Sequence, residues 1–234
     1  MPSGKIYIIP SPIAETDITD VLPPKVIDII HMLDTFFVEN IRTTRRLLSR
    51  LGVKNIQDIH FELVDKNTDP QKIEKLIERV KNGKNIGIMS EAGCPGIADP
   101  GSEINKQAHR DGIDIIPLTG PSSILLALMA SGFNGQRFQF HGYLPIDKSA
   151  REKRILHLER LVYSNDQTQI FMETPYRNKP ILDTLLKTLK SDTLLCIACN
   201  ITSPDEYIKT RSIKSWRKNI PDIHKKPTIF LLYK

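Results

Sequence analysis

Apolar and polar positions along the chain alternate between two periods. Short β-branched and aliphatic runs at 5–9, 35–39 and 86–89, a short extended piece at 60–64, and a run at 113–117 read as strands. Between them, segments 25–32, 43–51, 69–83 and 103–110 carry apolar residues at helical spacing, with Leu47, Leu48 and Leu51 on one face and Ile73, Leu76, Ile77 and Val80 on another. Pro24 and Pro70 suit first helical turns, and Gly52 suits a C-terminal cap. Strands alternating with helices at this spacing predict βαβ units and a mainly parallel sheet over residues 1–117.

Leu118-Thr119-Gly120-Pro121 reads as a hinge, followed by an apolar helix at 122–130. The second half, 118–234, has a different grammar. Runs at 138–143, 168–172, 193–201, 207–211 and 228–233 predict strands, with helices at 149–163 and 179–189. Only the turn Thr202-Ser203-Pro204-Asp205-Glu206 separates two of those strands, so this sheet is expected to be mixed, with antiparallel pairs. The fold class is therefore α/β, with two α/β domains at 1–117 and 118–234.

Charge divides the halves. The net +6 splits into −2 for residues 1–118 and +8 for 119–234, where Arg151-Glu152-Lys153-Arg154 and Trp216-Arg217-Lys218 are the basic clusters. A basic half suits a polyanionic partner such as RNA, although scattered Lys and Arg also serve as an ordinary solvated face. Cys94, Cys196 and Cys199 are odd in number, and the last two lie within an apolar run. They read as buried thiols of a reducing, cytoplasmic compartment, with no metal site. No leader or membrane-spanning run is visible, which predicts a soluble intracellular protein.

Walker, Gly-x-Gly-x-x-Gly, His-Glu-x-x-His and Gly-x-Ser-x-Gly signatures are all missing, which removes weight from NTPase, Rossmann, zincin and α/β-hydrolase readings. What remains is a series of polar loops at strand ends, where open α/β sheets bind ligands. The richest is Ser90-Glu91-Ala92-Gly93-Cys94-Pro95-Gly96-Ile97-Ala98-Asp99-Pro100-Gly101. Its small residues let a backbone approach a ligand, and its carboxylates suit a ribose hydroxyl or an ammonium group. Pro10-Ser11-Pro12-Ile13, Glu39-Asn40-Ile41-Arg42-Thr43-Thr44-Arg45, Thr119-Gly120-Pro121-Ser122-Ser123 and Met172-Glu173-Thr174-Pro175-Tyr176-Arg177 complete the set. Each alone has a structural explanation as a turn, cap or surface pair.

Taken in order, these loops resemble the tetrapyrrole methylase superfamily of S-adenosylmethionine-dependent methyltransferases, most closely its 16S rRNA (cytidine-2′-O)-methyltransferase I branch. That branch shows Pro-Thr-Pro-Ile-Gly-Asn against Pro10 to Glu15, and Glu-Asp-Thr-Arg-His-Thr against Glu39 to Thr44. It shows Ser-Asp-Ala-Gly-Thr-Pro-x-Ile-Ser-Asp-Pro-Gly against Ser90 to Gly101, Pro-Gly-Pro-Ser-Ala against Thr119 to Ser123, and Tyr-Glu-Ser-Pro-His-Arg against Met172 to Arg177. Ser131-Gly132-Phe133 and Gly142-Tyr143-Leu144-Pro145 match further signatures.

The resemblance implies a two-domain methyltransferase, usually a homodimer, holding S-adenosylmethionine in the cleft between its domains. Its cofactor contacts would be Pro10, Ser90, Glu91, Ala92, Gly93, Ile97, Asp99, Ser122, Ser123 and Met172, with Pro227 and Thr228 at the start of the last strand. Methyl transfer to oxygen chiefly needs alignment, a dry pocket and a base, so Glu39 is the candidate base and Arg42 the candidate clamp on phosphate or substrate. The implied acceptor is RNA of the small ribosomal subunit. Alternatives are a corrin-like small molecule and a cofactor-binding protein that has lost catalysis. Asn40 and Tyr176 replace an acid and a histidine of the branch, which motivates the last alternative. Members of the branch typically run on into a small helical C-terminal module, so the resemblance implies a reduced grip on RNA for this sequence.

Overall fold

A computed structural model describes residues 3–65, 67–98 and 101–234. The chain divides into two compact units, Met1–Ser122 and Ser123–Lys234.

The first unit contains β1 (Ile6–Ile8), α1 (Pro24–Met32), β2 (Thr35–Val38), α2 (Ile41–Arg50), β3 (His60–Leu63), α3 (Pro70–Lys81), β4 (Ile86–Met89), α4 (Ser102–Arg110) and β5 (Ile115–Pro117). The strands form one sheet in the order β3-β2-β4-β1-β5, every pairing parallel, with Tyr7 opposite Gly87 and Phe37 opposite Ile88. Every residue of β2 and β4 is buried, as unbroken apolar runs require when helices cover both faces. Phe36 and Phe37 point to opposite faces. Phe36 joins Ile30 and Leu48 in one core, and Phe37 joins Ile77, Val80 and Ile104 in the other. A Cβ on Gly87 would lie 2.7 Å from Ile9 Cδ1 and 2.8 Å from Phe36 Cδ1, so any larger residue on this central strand would force those core side chains to shift.

Capping chemistry fixes the helix starts. Asp69 accepts from Gln71 N–H and Pro70 follows it, as the sequence predicts for α3. Asn40 accepts from Arg42 N–H and Thr43 N–H, which starts α2 at Ile41, two residues before the apolar pattern begins. Gly52 then adopts φ +73 just beyond the last turn, in the role expected of it.

The second unit contains α5 (Ser123–Ser131), β6 (Phe138–Tyr143), α6 (Lys148–Asn165), β7 (Thr168–Glu173), α7 (Asn178–Thr188), β8 (Leu194–Cys199), β9 (Tyr207–Ser212), α8 (Ile213–Trp216) and β10 (Thr228–Tyr233). Its sheet runs β6-β7-β10-β8-β9. β6 and β7 are parallel and the other three pairings antiparallel, giving the expected mixed sheet. Phe171 and Phe230 stack with centroids 5.6 Å apart at the centre of a core that also holds Leu185 and Trp216.

Three features differ from the sequence reading. The short helix α8 is set by Trp216, which is fully buried and donates from Nε1 to Leu195 O at 2.8 Å. In Trp216-Arg217-Lys218 only the tryptophan is buried; Arg217 and Lys218 are exposed, and Arg217 donates to Leu186 O, Leu189 O and Ser191 Oγ. In the other cluster Arg151 is buried against Thr184 and Ile146 O, and Arg154 is bonded to His141. Cys196 and Cys199 are free and buried, and burial pushes both thiols up. Among the described residues no helix is long and apolar enough to cross a membrane.

Candidate functional site

In a parallel sheet all strand C-termini meet one edge, so the loops after β1, β2, β4 and β5 of the first unit gather there. The loop after β4 is tied to neighbours on both sides. Towards β1, Ser11 N–H donates to Gly93 O at 2.8 Å and Gly93 N–H returns to Ser11 O at 3.0 Å, while the buried Ser11 Oγ donates to Ser90 O at 2.8 Å. Towards β2, Glu91 N–H donates to Glu39 Oε2 at 3.1 Å, and Thr43 Oγ1 donates to Glu91 Oε1 at 3.1 Å. Cys94 Sγ adds a contact to Pro121 O at 3.5 Å in the loop after β5.

This path needs small residues. Gly93 and Gly96 have φ of +74 and +82, which residues with a Cβ rarely adopt. Gly120 lies so close to Pro10 that a Cβ would stand 2.4 Å from the Pro10 Cβ. Four strand-end loops thus form one linked rim of backbone amides and carbonyls, hydroxyls and a carboxylate. That donor set suits the hydroxyls, amine and carboxylate of a nucleoside-bearing amino acid such as S-adenosylmethionine.

The first unit brings together Pro10, Ser90, Glu91, Ala92 and Gly93 of the expected cofactor set, with Ser122 at its end. Ile97 stands exposed on the same loop, and Asp99 lies outside the described residues. Glu39 does not pair with Arg42, nor does it cap α2. Its carboxylate holds the Glu91 amide, whereas Asn40 caps the helix. Arg42 is exposed in the first turn of α2 with no side-chain partner among the described residues. The sequence reading omits Ser11 and Thr43 from the site. Their only signal was a small hydroxyl beside a strand end, which turns also use.

In the second unit Ser123 opens α5, and Met172 on β7 sits opposite Ile229 of β10. Thr228 opens β10 opposite Glu173, its hydroxyl accepting from the buried Asn178 Nδ2 at 3.2 Å and donating to Lys226 O at 2.9 Å. Pro227 precedes it, its carbonyl accepting from Asn200 N–H. Glu173 is buried and paired with Arg177 at 2.8 Å. Burial pushes its carboxyl up, opposed by the Thr174 amide and by Arg177 and Arg151. Tyr176 is largely exposed, with Lys225 Nζ 5.6 Å from its ring centroid.

Residues 5–215 match the family model described as Tetrapyrrole (Corrin/Porphyrin) Methylases. The chain belongs to the tetrapyrrole methylase family. It is thereby an S-adenosylmethionine-dependent methyltransferase, as the loop order implied. It is similar to the Ribosomal RNA small subunit methyltransferase I of Buchnera aphidicola subsp. Schizaphis graminum, with 33% identity covering 98% of this chain and 78% of that protein. The proteins of the same name from Vibrio cholerae and Bacillus subtilis are each 32% identical, covering 89% and 88% of this chain and 69% and 67% of theirs. Among solved structures, the methyltransferase CobJ superposes with a TM-score of 0.65 at 19% identity, covering 99% of this chain and 95% of that one. Diphthine synthase superposes with 0.69 at 14%, covering 98% and 90%. Both share the fold.

Proposed function

We propose that this methyltransferase acts on RNA of the small ribosomal subunit, at a ribose 2′-hydroxyl. The observation that carries the reading is the linked rim of strand-end loops, present in a chain whose relatives at 32 to 33% identity bear the name Ribosomal RNA small subunit methyltransferase I. We assign cofactor binding to Pro10, Ser90, Glu91, Ala92, Gly93, Ile97, Asp99 and Ser122 of the first unit. Ser123, Met172, Pro227 and Thr228 of the second belong to the same proposal. The family resemblance extends it to a homodimer in the cytoplasm.

When bound, S-adenosylmethionine supplies an electrophilic methyl group on its sulfonium. The chain's part is alignment and proton removal. Glu39 keeps Oε2 on the Glu91 amide, while its Oε1 receives no hydrogen bond from a described residue. We assign Oε1 to take the proton of the acceptor hydroxyl, with Arg42 holding a neighbouring phosphate.

The test is incubation of the protein and methyl-labelled S-adenosylmethionine with small ribosomal subunits from a strain lacking its own enzyme of this type. Label in 16S rRNA, lost in Glu39→Gln, is the expected result. Cofactor binding by calorimetry with no label in RNA overturns the RNA reading and leaves a small-molecule acceptor or a binding protein.

A further inference from the structure

We propose that the exposed face of α2 is a docking surface for the RNA phosphate backbone. This rests on the reading that the acceptor is RNA. The helix carries Arg42, Arg45, Arg46 and Arg50 and no acid. Thr44, Leu47 and Leu48 are its buried side, so helical spacing puts Arg42, Arg46 and Ser49 at the centre of the open side, with Arg45 and Arg50 flanking them.

The flanking pair is tethered. The Arg45 guanidinium lies 5.2 Å from the Phe61 ring centroid, and Arg50 Nη2 donates to Thr16 O at 2.7 Å. The central pair, Arg42 and Arg46, has no side-chain partner among the described residues. Among neighbouring acids, Asp17 acts on the tethered Arg50 and not on the central pair. Glu39 and Glu91, at the N-terminal end of the face, serve the loop after β4, and Glu62, next to Phe61 on β3, is held by His60, Arg79 and Lys72.

Stability of the helix does not call for this arrangement. A cation in the first turn opposes the helix dipole, and Arg42–Arg46 and Arg46–Arg50 are like-charge pairs four residues apart. Planar guanidinium groups along one face instead match a run of phosphates, which supply sequence-independent, salt-sensitive affinity. Location adds to this, because α2 begins two residues after Glu39. Meanwhile Arg151, Arg154 and Arg217, from the clusters that made the second half look basic, are committed to hydrogen bonds within their own unit.

The experiment measures binding of 16S rRNA by the full chain across a salt series. Wild type is compared with the double variant Arg45→Gln/Arg46→Gln, and with Lys153→Gln/Arg160→Gln on α6 as an equal loss of charge elsewhere. S-adenosylmethionine binding and thermal midpoint are followed in parallel. The α2 variant is expected to weaken RNA binding several-fold and to flatten the log–log salt dependence by about 0.7 to 0.9 per arginine removed. Cofactor affinity should stay at the wild-type value, the thermal midpoint should fall by no more than loss of the Arg45–Phe61 contact brings, and the α6 variant should bind RNA nearly as wild type. If wild type binds RNA and the α2 variant matches its affinity and slope, or the α6 variant loses as much, the docking face is wrong while the RNA reading stands. If wild type binds no RNA, both fall.

Discussion

His141 shows how a single residue's protonation follows from its neighbours. Arg154 Nη2 lies 2.9 Å from His141 Nδ1, and a guanidinium can only donate, so Nδ1 accepts. The ring proton is then on Nε2, which donates to Gln169 Oε1 at 2.7 Å, while the Gln169 amide nitrogen donates to Gln167 O. The ring is neutral. Burial lowers its pKa below the ordinary 6.5, and Arg154 and His157 push in the same direction against the Gln169 bond. A folded-state pKa below the unfolded value means the unfolded chain takes up the proton first. Stability held above pH 6.5 should therefore decline as pH falls through that value, until the folded ring also protonates. Denaturant unfolding between pH 8 and 5 checks this, with His141→Gln expected to flatten that limb. An unchanged limb in the variant would assign the dependence elsewhere.

At the scale of the element, α2 joins a favourable cap to an unfavourable charge pattern. Asn40 satisfies two of the amides left unpaired at the helix start, and nothing acidic in the first turn assists it. Asn40→Ala should cost about 1 kcal/mol of stability. Asn40→Asp, the residue of the rRNA branch, should keep the cap and gain a few tenths of a kcal/mol from the helix dipole, on the order of 0.3. Chemical denaturation of both variants measures the two effects. An alanine variant as stable as wild type would show that tertiary packing alone fixes the start of α2. The aspartate variant also bears on function, since it returns the side chain whose absence motivated a binding-only reading.

At the scale of the molecule, each unit has its own apolar core and its own sheet. Trp216 is the largest fully buried side chain, and its indole N–H closes onto β8. Trp216→Ala removes that packing and leaves Leu195 O without its donor, so it should destabilise the second unit by about 3 to 5 kcal/mol. Urea unfolding followed by circular dichroism is the measurement, and a cost under about 1 kcal/mol would mean the site repacks.

The sequence by itself determined the α/β class, both sheet types, the buried faces of α2 and α3 and the order of the strand-end loops. Each of these depends on local periodicity or on a Gly/Pro signal that neighbours in sequence carry. Tertiary structure alone decided what those loops do to one another. The Ser11–Gly93 pair spans 82 positions and the Glu39–Glu91 bond spans 52, separations over which no local pattern specifies a partner. It also decided which charges are available. Arg151 and Arg217 look alike in sequence to Arg42 and Arg46, but folding brings carbonyl acceptors to the first two and leaves the second pair with no side-chain partner among the described residues. Net charge by halves pointed towards the second half, whereas an exposed helix face carrying four arginines and no acid lies on α2 in the first.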